Sequence, residues 1–234
     1  TAGGPPTGYF KTLALQGDGK ILAGGYFGVF NDYSSPVDVG GLVRLNANGT
    51  LDHTFATGSG FDYTVSAVAV QADGRILAGG YFNEFNGVDV NSLVRLLPDG
   101  SLDTSFNIGS GFAGGEEEEV RAVAALPDGK ILVGGDFSVF NGTGVGPVIR
   151  LNADGTRDPS FIVGPSLIGN GVAVILLQPN GQIVVGGYLG VAGTPGRWGV
   201  LRLNSDGAID STFNPGEGFT YGTGDGISGG SVTG

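Results

Sequence analysis

Acid–base chemistry in this 234-residue chain would fall to Asp and Glu, because 22 carboxylates stand against 11 basic side chains and a single histidine. A carbohydrate-active enzyme needs two carboxylates flanking a glycosidic bond, and nothing in their spacing selects such a pair. The histidine, His53, occupies a position where related segments carry Thr104, Pro159 and Ser211. It reads as an ordinary repeat position, and no G-x-S-x-G elbow accompanies it. Cysteine is absent, which removes a thiol nucleophile, a disulfide framework and zinc sites built on His and Cys. The glycine-rich stretches open no helix, so they are not phosphate cradles.

One acidic run invites a metal reading. Glu116, Glu117, Glu118 and Glu119 follow Gly114-Gly115 and could offer oxygens to Ca²⁺, a hard cation that takes roughly 6–8 of them. Side chains on an extended segment alternate sides, so at most two would face one ion. A solvated acidic loop is the favoured reading. The Asn152-Ala153-Asp154-Gly155 turn lacks the ligand spacing of an EF-hand and reads as turn chemistry. Apart from Ca²⁺ at the glutamates, no cofactor is expected.

The net charge of −11 repels phosphate backbones, which makes nucleic acid an improbable partner. The longest unbroken apolar stretch, Val172–Leu177, is far short of the roughly 20 residues that span a bilayer. The sequence opens at Thr1 without an initiator Met or a signal peptide, as in a mature or trimmed form. With 48 glycines and only 14% charged residues, long surface helices are not expected.

The elements that would position any site come from repetition. LALQGDGKILAGGYF (13–27), VAVQADGRILAGGYF (68–82), VAALPDGKILVGGDF (123–137) and VILLQPNGQIVVGGYL (174–189) are related. VRLNANGTLDHTF, VRLLPDGSLDTSF, IRLNADGTRDPSF and LRLNSDGAIDSTF follow them in turn. The glycine pairs starting at Gly24, Gly79, Gly134 and Gly186 lie 55, 55 and 52 residues apart. Residues 1–234 are therefore one domain of four units, approximately 10–61, 62–112, 113–167 and 168–219, with a glycine-rich tail at 220–234.

Each unit reads as two hairpins closed by three-residue loops with Gly in the left-handed position. That register sets Arg44 opposite Asp52, Arg95 opposite Asp103, Arg150 opposite Asp158 and Arg202 opposite Asp210. Such cross-strand pairs are structural, and exposed ones contribute about 0.2–1 kcal/mol, so Arg95→Ala is expected to be tolerated. The first hairpin is apolar on both faces: Val68, Ala69 and Val70 face Ile76, Leu77 and Ala78. Strands of that kind are buried on both sides. Four-stranded antiparallel sheets stacked around an axis supply the burial, which predicts an all-β fold, a β-propeller with one four-stranded blade per unit. The outer hairpin would face solvent, and the paired glycines would allow close backbone approach.

The pattern VxAVAxQPDGKILVGGxF followed by xxRLNxDGSLDTSF resembles the bacterial delta-sixty repeat, a propeller-like repeat, and all four units match it. The resemblance implies an exported or surface-attached bacterial protein, of a kind often found in long arrays and mostly without an assigned molecular function. The doubled glycine is also similar to kelch blades, whose later Tyr and Trp positions are absent here. The fourth unit departs most, with Asn180 for Asp, Gln182 for Lys or Arg and Leu189 for Phe.

In such a meander the Asp-Gly turns gather at one end and the variable connections at the other. Those connections, 31–41, 86–92, 141–147 and 193–199, form the candidate recognition face, where Tyr33, Asp38, Asp89, Arg197 and Trp198 fall. Trp198, the only tryptophan, can stack on a sugar or anchor a protein, or plug a gap between blades. The expectation is a non-catalytic extracellular or cell-surface module that binds a protein or polysaccharide through this face. A carbohydrate-active enzyme and a purely structural assembly subunit are the alternatives. Closure of the ring is expected by contact of Ile183–Val185 with the Leu13–Leu15 region, or failing that through another subunit.

Overall fold

A computed structural model describes residues 8–31, 36–116, 118–193 and 198–214. All eight Asp-Gly-type turns are built alike. In the first, the Gln16 N–H donates to the Lys20 carbonyl at 2.8 Å, and the Gly19 N–H returns to the Gln16 carbonyl at 3.0 Å. The closing glycines, from Gly19 to Gly207, have φ between 83° and 95°, the left-handed region that glycine enters without a Cβ penalty.

These turns fix the strands. Unit one holds β1 (Tyr9–Leu15), β2 (Ile21–Tyr26), β3 (Val29–Asn31), β4 (Pro36–Asp38) and β5 (Leu42–Leu45). Unit two holds β6 (Thr64–Val70), β7 (Ile76–Tyr81), β8 (Glu84–Phe85), β9 (Val88–Asp89) and β10 (Leu93–Leu96). Unit three holds β11 (Phe112–Ala113), β12 (Val120–Ala125), β13 (Ile131–Gly135), β14 (Val139–Phe140), β15 (Thr143–Gly144) and β16 (Val148–Leu151). Unit four holds β17 (Leu167–Leu177), β18 (Ile183–Val191) and β19 (Trp198–Leu203). The described residues contain strands and turns and no helix, so none is long and apolar enough to cross a membrane.

The main sheets run β1-β2-β5, β6-β7-β10, β12-β13-β16 and β17-β18-β19, all antiparallel. Val68 opposes Ala78, Ala69 opposes Leu77 and Val70 opposes Ile76, as the hairpin register requires. The expected fourth strand is reduced to single bridges, such as Leu45 to Leu51 and Leu96 to Leu102. Its shortness has a local cause. Asp52 Oδ1 accepts from the Thr54 N–H at 3.0 Å and from its hydroxyl at 2.6 Å, an Asx turn that takes the chain out of the ladder. Asp103, Asp158 and Asp210 repeat it with Ser105, Ser160 and Thr212. The connections expected to be loops carry small hairpins of their own, β3–β4 and β8–β9.

Three of the four hydrophobic clusters among the described residues lie between units, and one, around Ala23, Val39, Val43 and Leu51, lies within unit one. Leu22 and Leu42 of unit one meet Val65, Val68 and Ile76 of unit two. Leu77 and Leu93 meet Val120, Ile131 and Val133, and Leu132 and Val148 meet Val172, Ile183 and Val185. The first glycine of each pair makes that contact possible, since a Cβ on Gly24 would stand 2.8 Å from Val65 and 3.2 Å from Val68.

Two expectations about packing are corrected. The Arg–Asp pairs are opposed as predicted, with Arg44 Nε 2.7 Å from Asp52 Oδ2, yet the first two are buried, Arg44 to 6% and Asp52 to 5% exposure, and Arg150 and Arg202 are part-buried. The Arg44 guanidinium lies 4.4 Å over the Phe55 ring and reaches the carbonyl of Pro98 in the next unit's turn, so the neighbouring unit covers it. Among the described residues, ring closure by the last unit is also not found. Ile183 and Val185 pack against unit three, while Leu13 and Leu15 stay 69% and 72% exposed.

Candidate functional site

The innermost strand of each unit carries an irregularity, at Phe10/Thr12, Val65/Ala67, Val120/Ala122 and Val172/Val174. A bulge leaves one residue outside the ladder and re-aims it. In the first three units that residue is Lys11, Ser66 or Arg121, and the three converge on one carboxylate. Lys11 Nζ lies 3.0 Å from Glu119 Oε1, the Ser66 hydroxyl donates to the same oxygen, and Arg121 Nε donates to Oε2 at 2.9 Å. Arg121 also approaches Asp136 at 3.5 Å. Burial alone would raise the Glu119 carboxyl. The hydrogen bonds from Ser66, Arg121 and Lys11 outweigh it and hold the group below its ordinary value. Glu119 is thus an ionised tie between three units.

Beside this tie runs a row of tyrosines. Tyr9 and Tyr26 face each other at the start of β1 and the end of β2, with ring centroids 6.0 Å apart. Tyr26 continues to Tyr63 at 5.2 Å, and Tyr63 meets Tyr81 edge-on at 5.1 Å. The row crosses from unit one to unit two, and all four rings are between 43% and 52% exposed. Half-exposed aromatic side chains present a flat apolar body and a polar tip to a ligand.

Two clefts share Tyr63. The larger, about 420 Å³, is bordered by Tyr26, Phe27, Asp38 and Asp62. The smaller, about 280 Å³, is bordered by Tyr9, Lys11, Tyr81, Glu116 and Glu119. Asp62 Oδ1 is committed to the backbone N–H groups of Asn83 and Glu84, at 3.0 and 3.1 Å. Asp38, exposed at the end of β4, has a carboxylate able to meet a ligand hydroxyl.

The residues expected on the recognition face separate. Asp38 lines the larger cleft. Asp89 is exposed on β9 opposite Glu84 and borders neither cleft. Trp198 opens β19 opposite Gly190, so its backbone is strand and not loop. Tyr33 and Arg197 lie outside the described residues, as does Glu117. Of the other glutamates, Glu118 Oε1 accepts from the Gly114 N–H at 3.1 Å, and Glu116 faces the smaller cleft. Glu119 departs from the solvated reading, being only 4% exposed and ion-paired. No group of three metal-ligating side chains occurs among the described residues.

The tyrosine row and the bulge residues were not picked out from sequence. Tyr26 and Tyr81 do share a repeat position, directly after the glycine pair, where unit three has Asp136. That was an available signal. The bulge that turns Lys11, Ser66 and Arg121 to one point leaves no mark in residue type.

Four segments of the chain, 16–55, 71–106, 126–161 and 178–213, match the family described as "Domain of unknown function (DUF5122) beta-propeller". No curated protein sequence matches. Among solved structures, similarity extends to a candidate gluconolactonase at 18% identity and TM-score 0.47, over 86% of this chain and 61% of that one. It also extends to PorZ, a surface component of the type-IX secretion system of Porphyromonas gingivalis, at 11% identity and TM-score 0.47, over 86% of this chain and 26% of that one. An extracellular domain of a one-component system from B. thetaiotaomicron matches at 14% identity and TM-score 0.41, over 82% and 21%. The chain thus spans less than two thirds of the length of each of these three proteins.

Proposed function

The chain belongs to the DUF5122 β-propeller family, and on that footing we propose that it is a non-catalytic module that binds a polysaccharide through the face carrying Tyr9, Tyr26, Tyr63 and Tyr81. The observation that carries this reading is the half-exposed tyrosine row between two clefts edged by carboxylates. Sugar rings offer C–H faces to aromatic rings and hydroxyls to carboxylates, and the site supplies both kinds of partner. Net charge of −11 favours a neutral glycan over an anionic one. The competing reading, hydrolysis by a carboxylate pair, needs one carboxyl with a raised pKa to act as the acid. Glu119, whose carboxyl is held low by Ser66, Arg121 and Lys11, is unsuited to serve as that acid.

Each unit then counts as one blade, its fourth strand reduced to a bridge. The delta-sixty resemblance, whose members are exported or surface-attached, supports a place outside the cell. Affinity electrophoresis in gels containing neutral polysaccharides tests the function. Retardation by at least one glycan, lost in the Tyr26→Ala/Tyr63→Ala double variant, is expected. Release of reducing sugar from any of them contradicts the non-catalytic reading.

A further inference from the structure

The larger cleft is not a repeated feature. It lies at the junction of units one and two, bordered by Tyr26, Phe27 and Asp38 of the first and by Asp62 and Tyr63 of the second. Gly28, which has open space around it, stands where unit two has Asn83 and unit three Ser138. Asp62 and Tyr63 stand where unit three has Ala113 and Gly114. A missing side chain thus makes the room, and the residues that border it are particular to this junction.

The two clefts that share Tyr63 differ in charge. In the smaller one the chain supplies its own ammonium: Lys11 Nζ stands 3.0 Å from Glu119 Oε1, beside Tyr9, Tyr63 and Tyr81. The larger one offers the same ingredients, aromatic rings and carboxylates, but no Lys or Arg borders it among the described residues. Arg44 shares a neighbouring pocket of about 110 Å³ with Asp38, and its guanidinium is already committed to Asp52 and the Pro98 carbonyl. The Asp38 carboxylate has no hydrogen bond or ion pair among the described residues. Asp62 adds a second carboxylate, fixed by the Asn83 and Glu84 N–H groups.

We propose that the larger cleft takes the protonated amino group of an amino sugar, so that the glycan bound most tightly is one with free amines. The inference rests on the glycan reading and adds to it the charge of the ligand. An ammonium on the sugar ring meets Asp38 in a charge-assisted hydrogen bond, while Tyr26 and Tyr63 offer ring faces that attract a cation. A neutral sugar keeps the ring contact and makes the weaker hydrogen bond. The net charge of −11 attracts any cation to the whole surface, so the cleft has to be told apart from bulk charge.

Titration calorimetry with a chitosan oligomer and the chitin oligomer of equal length, in a buffer that keeps the amines protonated, makes that distinction. The two ligands differ only in the acetyl group on each nitrogen. Wild type should bind the chitosan oligomer about tenfold more tightly, because hydrogen bonds to charged groups outweigh neutral ones, and the gap should narrow at about 0.5 M salt. Asp38→Asn, at an exposed position, should close the gap and leave chitin binding unchanged. Asp89→Asn removes the same charge from the same repeat position in unit two and should leave the gap open. A chitosan oligomer bound no more tightly than chitin overturns the inference. Equal losses in Asp38→Asn and Asp89→Asn overturn it too, by assigning the preference to bulk charge. Binding of neither oligomer also defeats it, and the glycan reading falls with it only if no neutral polysaccharide retards the protein in gels.

Discussion

Arg95 Nε donates to Asp103 Oδ2 at 2.7 Å while the same guanidinium stacks 4.7 Å over Phe106 and reaches the Ala153 carbonyl of the next unit. One side chain therefore closes its own hairpin, fixes the turn that follows and ties two units together. The same arrangement recurs at Arg44 and Arg150, which explains why Arg, Asp and Phe recur at fixed spacing in the repeat.

Arg95 and Asp103 are both buried, and without Arg95 the Asp103 carboxylate keeps Arg75, whose Nε stands 3.1 Å away, but loses one buried hydrogen-bond donor. Arg95→Ala should cost about 1–3 kcal/mol, against the tolerance expected of an exposed pair. Urea unfolding of the variant beside wild type checks this, and a midpoint unchanged within error would return the pair to the surface.

Acid should unfold the protein through the same carboxylates. Hydrogen bonds from the Thr212 hydroxyl and N–H, together with Arg202, bring Asp210 down to about 2. Asp52, Asp103 and Asp158 are lowered despite burial, by their Thr or Ser partners and the facing cations. A carboxyl lowered on folding contributes stability above its unfolded pKa near 3.9, and that contribution is lost as pH falls through the native value. Stability should be level above about pH 5 and fall steeply between about pH 4 and 2. Chemical denaturation at stepped pH measures it; a fall centred near pH 6 would mean that another group governs.

The glycine notches set an upper limit on side-chain size between units. Gly134→Val puts a branched side chain into Val172, whose Cγ1 stands 2.7 Å from where a Cβ would sit. Overpacking of this kind costs about 1–3 kcal/mol. Gly28→Ala has open space and should leave the melting temperature unchanged. Equal losses at both positions would contradict the packing described.

Calcium should not raise the melting temperature. Both oxygens of Glu119 are held by Lys11, Ser66 and Arg121, so the acidic run has no free bidentate ligand at that position. Melting curves with chelator and with millimolar Ca²⁺ should superimpose, and an upward shift with Ca²⁺ would revive the run as a metal site.

Much of the fold was legible in the sequence. The Asp-Gly loops fix the register by backbone geometry alone, and from them Arg44 falls opposite Asp52 and Val70 opposite Ile76. The burial of the Arg–Asp pairs was missed because it depends on the neighbouring unit. Arg44 is polar and lies on an outer strand, so only the presence of the Pro98 turn above it reveals that it is buried. The fourth strand was overestimated because Asp52 was counted as a ladder residue when its side chain caps a turn. Asp38, singled out for its place in a variable connection, borders the larger cleft, whereas Lys11, Ser66 and Arg121 depend on bulges that no residue type announces.

Isothermal titration of the most strongly retarding neutral glycan tests the central claim most directly. Tyr63 borders both clefts, so Tyr63→Ala should weaken binding about tenfold, which is about 1.4 kcal/mol. Asp89→Ala, on a hairpin away from both clefts, should bind as wild type does. Undiminished affinity in Tyr63→Ala, or a loss confined to Asp89→Ala, would contradict the assignment of the tyrosine row as the binding surface.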